Sequence, residues 1–204
     1  MATKYLEKTS EGIPVIETLP EPKVIETLPE PKVVKGARIW EVLRLFMGFT
    51  FLWSFLDKAF ALGFTTGRNP ETGVIQFFSP DAWFRGGSPT EGFLKFGTKG
   101  PFADFFASLS PVWVDWVFMF SLLLIGGALI LGVAVRPAAI GGAIWMGILY
   151  AASAIWPEHN PFLDEHIIEA AVLVGIAYVG AGRWLGLGSY WARVPVVRQH
   201  PILQ

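Results

Sequence analysis

The stretch NPFLDEHIIEAAVLVGIAYVGAGRWLGLG, Asn160 to Gly188, decides how the rest of the chain is interpreted. Asn160 and Pro161 predict a helix start, because asparagine caps a first turn and proline at the first helical position lacks only an N–H that the helix leaves unused. Four ionisable side chains crowd the next two turns: Asp164, Glu165, His166 and Glu169. No charge follows between Ala170 and Ala181. Ionisable groups at the mouth of a helix about long enough to cross a bilayer must face protein or water, so they mark a candidate functional surface.

The composition indicates a membrane protein. Of the 204 residues, 52% are hydrophobic and 16% are charged, and the mean hydropathy is +0.47. A net charge of -1 with no basic stripe gives no reason to expect a nucleic-acid partner. The absence of cysteine excludes disulfides, thiol catalysis and cysteine-bound metal within the chain. Redox chemistry would therefore need a bound cofactor or a partner.

Three regions are predicted. Residues 1–36 contain VIETLPEPK twice in succession, at Val15–Lys23 and Val24–Lys32. This Pro- and Glu-rich composition predicts a disordered cytoplasmic tail, with a docking strand for a partner as the alternative. Residues 37–188 form the predicted membrane domain, and residues 189–204 a basic, aromatic C-terminal segment at the membrane surface.

Hydropathy predicts four spans and hence an all-α, polytopic membrane four-helix bundle. The first three run from Ile39 to Phe64, from Val112 to Val135 and from Ala138 to Trp156, and the fourth is the opening stretch. The long loop between the first two spans should carry short helices, one opened by a capping box from Ser88 to Glu91 and one over 102–109. A stripe of small residues on the third span favours close helix packing or homo-oligomerisation: Ala139, Ala143, Gly147 and Ala151.

Charge predicts the orientation in the cell (plasma) membrane. Residues 1–38, the Arg136 turn and residues 183–204 together carry ten Lys and Arg residues, whereas the long loop carries four. The positive-inside rule then places both termini of this multi-pass chain in the cytoplasm and the long loop outside. Arg183 and Trp184, near the end of the fourth span, are typical of the inner interface.

These spans bring ionisable residues from three helices to a similar depth near the outer surface. Asp57 and Lys58 end the first span and Asp115 begins the second, level with the start of the fourth. We expect a polar pocket there that binds a substrate or a quinone, because a carboxylate beside an imidazole suits the proton-coupled reduction of a quinone. His166 would handle protons, with Glu165 and Glu169 tuning its pKa as neighbours on one helix face. The predicted binding residues are Lys58, Asp57, Asp115, Arg68 and His159, with Lys58 or Arg68 as the anchor for an anion.

Plainer interpretations stand beside this one. Acids at a helix start are stabilised by the helix dipole, and Lys58 could simply pair with Glu169 or Asp115. A metal site is not predicted, because His166 and Glu169 reverse the Glu-x-x-His order of four-helix di-metal sites. At the other end of the first span, Glu41 and Arg44 predict an intrahelical pair with the arginine reaching toward lipid phosphate.

The motifs NPFLDEH and GAGRWLGLG, with the Arg44, Gly48 and Lys58 pattern, resemble DoxX-like membrane proteins over residues 38–188. That group includes the DoxD subunit of thiosulfate:quinone oxidoreductase. The resemblance implies a four-helix membrane fold and a redox system that couples oxidation of a small sulfur compound, such as thiosulfate, to quinone reduction with a partner subunit. The alternative is a non-catalytic membrane scaffold that docks soluble redox or stress-response enzymes.

Overall fold

The computed structural model describes residues 7–8, 14–15, 36–182 and 185–203. The chain divides into two units, Met1–Val33 and Val34–Gln204. In the first unit, strands β1 (Glu7–Lys8) and β2 (Pro14–Val15) pair antiparallel. The nine-residue duplication, apart from its first residue, lies outside the described residues, and so does the predicted interface pair at 183–184.

The described part of the second unit is helical. The long helices are α1 (Ala37–Phe60), α3 (Pro111–Leu131), α4 (Val135–Ser153) and α5 (Glu165–Val179). The short ones are α2 (Ala103–Ala107), α6 (Gly188–Trp191) and α7 (Pro195–Gln199). Three further turns are a 3-10 turn at Trp83–Arg85, a π-helical turn at Phe93–Gly97 and a 3-10 turn at Pro201–Leu203. The all-α class predicted from the sequence is thereby confirmed.

Within the described residues, three helices are long and apolar enough to cross a membrane: Arg38–Phe60, Pro111–Leu131 and Val135–Ser153. The fourth predicted span is shorter than expected. Helix α5 has 15 residues, which gives a length of about 22 Å against a hydrocarbon core of about 30 Å. Large apolar side chains nevertheless remain exposed along all four long helices, among them Phe46, Leu124, Ile144 and Val174. Such surfaces are compatible with contact with lipid.

The predicted start of α5 at Asn160 and Pro161 is wrong. The helix is capped by Asp164, whose Oδ1 accepts a hydrogen bond from the backbone N–H of Ile167 at 3.2 Å. The Asn160 side chain instead closes a turn, because its Oδ1 accepts from the N–H groups of Phe162 and Leu163. Both residue types can cap a helix or close a turn, and here the later one begins the helix.

The helices pack with α1 against α3 and α5, and with α4 against α3 and α5. Glycines allow a close approach between α1 and α3. A Cβ atom at Gly126 would lie 2.5 Å from the backbone nitrogen of Leu52, and one at Gly48 would lie 2.9 Å from the Cβ of Leu129. On α4 the predicted small-residue stripe is only partly buried, since Ala139 is buried but Gly147 is exposed.

Residues 61–110, the α1–α3 connection, carry the predicted short helical segments. Of the capping box predicted for the first segment, one hydrogen bond is present, since the Ser88 Oγ accepts from the N–H of Glu91 at 3.1 Å. That segment continues into the π-helical turn at Phe93–Gly97, and the second predicted segment is the shorter α2. The connection is tied to both helices that it joins, through residues described below.

Candidate functional site

Besides the exposed Arg38 in its first turn, helix α1 carries two cations deeper in the helix, Arg44 and Lys58. They are 14 residues apart, so they project from nearly the same side of the helix, separated by roughly 21 Å along its axis. We call the end of the helices where α1 begins and α3 finishes the Arg44 end, and the opposite one the Lys58 end. The two cations have different surroundings, and the difference locates the candidate site.

At the Arg44 end the cation is sealed inside protein. Arg44 is 0% exposed and Glu41 is 2% exposed. The Arg44 guanidinium pairs with Glu41 Oε2, with Nη2 at 3.0 Å and Nε at 3.1 Å. Its Nη1 donates to the carbonyl oxygens of Leu129 and Ile130 at the end of α3, and its Nη2 to that of Leu185. The prediction that Arg44 reaches lipid phosphate is wrong, because backbone carbonyls take its donors.

The glycine-rich segment after α5 is fastened to the same pair. Glu41 Oε1 accepts a hydrogen bond from the backbone N–H of Gly182 at 2.8 Å, and the N–H of Leu187 donates to Leu131 O at 2.7 Å. A Cβ atom at Gly188 would overlap the carbonyl group of Gly182 and would lie 2.8 Å from the carbonyl oxygen of Gly132, the residue that follows α3. The glycines of the GAGRWLGLG motif therefore serve close backbone packing at the Arg44 end.

At the Lys58 end, Asp57 organises the start of the α1–α3 connection. Its carboxylate accepts from the N–H groups of Phe64, Thr65 and Thr66 at 3.0, 2.8 and 3.1 Å, and from the Thr65 hydroxyl at 2.6 Å. With four donors on one carboxylate that is 1% exposed, Asp57 positions the loop. We therefore assign it a positioning role next to the candidate site.

Asp115, on α3, holds the α1–α3 connection at Thr90. Its Oδ1 accepts from the N–H and the hydroxyl of Thr90, at 3.0 and 2.6 Å, and both residues are buried. Arg68, predicted as an anion anchor, is exposed and donates from Nε to Gly63 O at 2.7 Å. Asp57, Asp115 and Arg68 thus all have partners within the connection or its contact with α3.

A cavity of about 190 Å³ lies beside Lys58. Helices α1, α3 and α4 line it through Thr50, Phe51, Ser54, Lys58, Phe118, Leu122, Met146 and Leu149. The size suits a single ring, since an engineered apolar cavity of about 150 Å³ binds benzene. Most of the lining is apolar or aromatic, and the polar groups all come from α1 at intervals of four residues.

Lys58 provides the charge in this lining. Its Nζ donates to the Thr65 hydroxyl at 3.2 Å and lies 6.0 Å from the centre of the Phe118 ring. Within the described part of the chain, no carboxylate oxygen lies within 4.0 Å of that ammonium. The alternative interpretation, in which Lys58 pairs with Glu169 or Asp115, is therefore not found among the described residues. The ammonium has donors available to a ligand in the cavity.

Thr50 lines the cavity, is exposed and lies near the middle of α1 (Ala37–Phe60). Its hydroxyl is engaged with the helix itself, donating to Phe46 O at 3.0 Å. An exposed lining residue at mid-helix would lie at the level of the lipid tails if α1 crosses a bilayer.

The ionisable group on α5 lies apart from the cavity lining. His166 Nδ1 is 2.6 Å from Asp164 Oδ2, so the histidine is held by the residue that caps its own helix. Glu165 and His159 are exposed, and Glu169 is half-buried. Among the described residues, no group of three or more His, Asp or Glu side chains is arranged to hold a metal ion. The catalytic roles of His166, Glu165 and Glu169 stay predictions.

Sequence reasoning missed the importance of the aromatic and hydroxyl residues around Lys58. Phe118 packs edge-to-face against Trp145 at 5.7 Å between ring centres, and so fixes one wall of the cavity. The spacing Thr50, Ser54, Lys58 was available in the sequence as a polar row along an otherwise apolar helix. Such a row is a usable signal because polar side chains inside a span usually face protein.

No protein-family model matches this chain, and neither a curated protein nor a solved structure shows significant similarity to it. The similarity to DoxX-like proteins accordingly depends on the sequence motifs alone.

Proposed function

We propose that this chain is a membrane protein whose cavity beside Lys58 binds a quinone or a closely similar lipid-soluble ring compound. The observation that carries the proposal is a cation without a carboxylate partner among the described residues, at the edge of an apolar cavity of about 190 Å³. Cavities of this kind, with a few convergent polar groups, are the usual form of small-molecule sites.

The lining residues have distinct parts in this proposal. The Lys58 ammonium would donate a hydrogen bond to a ring oxygen, and a charged donor makes that bond stronger than a neutral one. The Phe118 ring, held by Trp145, would pack against the face or edge of the bound ring. Met146 and Leu149, from α4, would close the apolar side, where the flexible thioether adapts to the ligand.

The wider membrane arrangement is part of the same proposal. We infer that α5, together with the segment that follows it, completes a four-helix membrane bundle with the three apolar helices. The charge distribution supports both termini at the cytoplasmic face of the plasma membrane and the α1–α3 connection outside. The packing of α5 against α1 and α4 and its exposed apolar side chains support this arrangement.

The resemblance to DoxX-like proteins suggests the reaction in which such a quinone site would take part. In that scheme a partner subunit oxidises a small sulfur compound such as thiosulfate, and two electrons with two protons convert the quinone to the quinol. This chain would supply the quinone site at the membrane. The protons would pass through His166 and its neighbouring acids, which remains a proposal because these residues lie outside the cavity lining.

The test is direct quinone binding by the purified full-length chain in mild detergent. Organic extraction and mass spectrometry identify quinone that copurifies, and a short-chain quinone is titrated while tryptophan fluorescence is followed. Lys58→Met should weaken binding by about tenfold or more, since a hydrogen bond from a charged group contributes about 1.5–3 kcal/mol. Met146→Trp should abolish binding by filling the cavity.

The matched control is Lys95→Met, which removes a lysine that is exposed and paired with Glu91, away from the cavity lining. It should bind quinone as the unchanged chain does. Equal quinone affinity in all the variants would overturn the proposal. So would the absence of saturable binding by the unchanged chain, which would favour the scaffold interpretation.

A further inference from the structure

Residues 185–203, which include the described part of the C-terminal segment, are folded against the Arg44 end of the helices. The Leu187 N–H bonds to Leu131 O at 2.7 Å, and the turn at Pro201–Leu203 packs against α4. The Trp191 indole Nε1 donates to Leu203 O at 2.6 Å and closes the segment on itself, while Val197 is buried. The segment is therefore held in place where α3 ends and α4 begins.

The exposed charge on this segment has one sign. No acidic residue follows Glu169 in the sequence, and Arg193, Arg198 and His200 are all exposed. The Arg193 guanidinium lies 5.6 Å from the centre of the Tyr190 ring, which orients it. We call Arg193, Arg198 and His200 the basic face. The acid of α1 at this end, Glu41, is buried against Arg44 and does not offset it.

Exposed apolar side chains accompany the basic face: Tyr190, Val194, Val196 and Ile202. Arginines next to exposed aromatic and aliphatic groups are the composition of segments that lie in the headgroup layer of a membrane. The position of the basic face fits this interpretation. If α3 and α4 cross a bilayer, the membrane boundary lies near the turn that joins them, and the basic face lies at that turn.

We propose that the basic face binds the headgroups of anionic phospholipids, in the leaflet at the Arg44 end. The guanidinium groups contact lipid phosphate, with which arginine forms paired hydrogen bonds. The apolar residues enter the boundary with the acyl chains. This inference needs α3 and α4 to lie in a bilayer, but it does not depend on the quinone site.

The test uses the delipidated full-length chain in detergent and a tail-labelled fluorescent phosphatidylglycerol. Unlabelled phosphatidylglycerol, phosphatidylcholine and inorganic phosphate compete for it in separate titrations. Phosphatidylglycerol should compete best. The double variant Arg193→Gln/Arg198→Gln should weaken phosphatidylglycerol binding by roughly 25-fold, from about fivefold for each arginine, and added salt should reduce the difference.

The control is Lys95→Gln/Lys99→Gln, which removes two cations that are paired with Glu91 and Glu158. It should change the lipid affinity less than twofold on the same reasoning about compensated charge. Unchanged affinity in a correctly folded arginine double variant would overturn the proposal. Equal competition by phosphatidylcholine, or by inorganic phosphate alone, would also overturn it, since neither requires an anionic lipid.

Discussion

Arg44 and Lys58 lie on nearly the same side of one helix, but they differ in burial and in the number of their hydrogen-bond partners. Arg44 is enclosed, and its donors are taken by Glu41 and by three backbone carbonyl groups. Lys58 has one hydroxyl partner and borders a cavity. A buried charge that is fully paired holds structure together, whereas a cation with donors to spare next to an apolar cavity is suited to a ligand.

The comparison shows that the type and spacing of a charged residue do not define its role. Both cations would be costly in lipid. At the Arg44 end, the orphan carbonyls of a finishing helix and a carboxylate one turn away remove that cost. At the Lys58 end, the nearest acid, Asp57, is occupied by four donors from the loop. The remaining donors of Lys58 are therefore left to the cavity.

The largest effect is expected at the sealed end. Arg44→Met leaves the Glu41 carboxylate buried without its cation and frees the carbonyl groups that end α3. Breaking a buried pair in this way costs about 3–5 kcal/mol. The melting temperature of the purified chain in detergent should fall accordingly, and recovery of monodisperse protein should drop.

The double variant Glu41→Gln/Arg44→Met serves as its control, because it removes both charges together. It should recover part of the lost stability. A double variant as unstable as Arg44→Met would show that the arginine acts mainly through the backbone carbonyls, and not through the ion pair.

Asp57→Asn should have the next largest effect. An amide in place of the carboxylate keeps one acceptor oxygen but turns N–H donors toward the N–H groups of the loop, at a cost of about 1–3 kcal/mol. The readout is hydrogen exchange at Thr65 and Thr66, which should become faster. Asp104→Asn, at an exposed position in α2, should leave this exchange unchanged.

Two neighbouring glycines in the middle of α3, Gly126 and Gly127, allow a matched test of how closely α1 and α3 pack. Gly126→Ala places a Cβ atom against the backbone of Leu52, and separating α1 from α3 should cost about 1–3 kcal/mol. At Gly127 nothing lies within 4 Å of an added Cβ atom, so Gly127→Ala should be neutral or slightly stabilising. Equal melting temperatures for the two variants would contradict the close approach.

Lys58→Met should destabilise the chain less than Arg44→Met, Asp57→Asn or Gly126→Ala. It removes one exposed hydrogen bond to Thr65 and a long cation–π contact of 6.0 Å with the Phe118 ring. The free energy of unfolding should therefore change by less than about 1 kcal/mol. A loss as large as that of Arg44→Met would mean that Lys58 is structural after all. Ligand binding, in contrast, should respond to this variant and not to Gly127→Ala.

The sequence predicted the three apolar spans and the polar end of α1, because hydropathy and spacing are local properties. It misplaced the start of α5, since Asn160 and Asp164 carry equivalent local signals. It also misjudged Arg44, whose partners at Leu129 and Leu185 are 85 and 141 residues away. Lys58 was identified by its depth, but the cavity beside it depends on which faces of α3 and α4 meet α1.

Because Thr50 is exposed and lines the cavity, the concentration scale to which a ligand's affinity is referred becomes important. If α1 crosses a bilayer, a compound that enters beside Thr50 comes from the lipid, where a hydrophobic molecule is far more concentrated than in water. Occupancy would then follow the mole fraction of the ligand in the membrane. A modest intrinsic affinity would be enough to fill the site, and dissociation constants referred to aqueous concentration would exaggerate the strength of the contacts themselves.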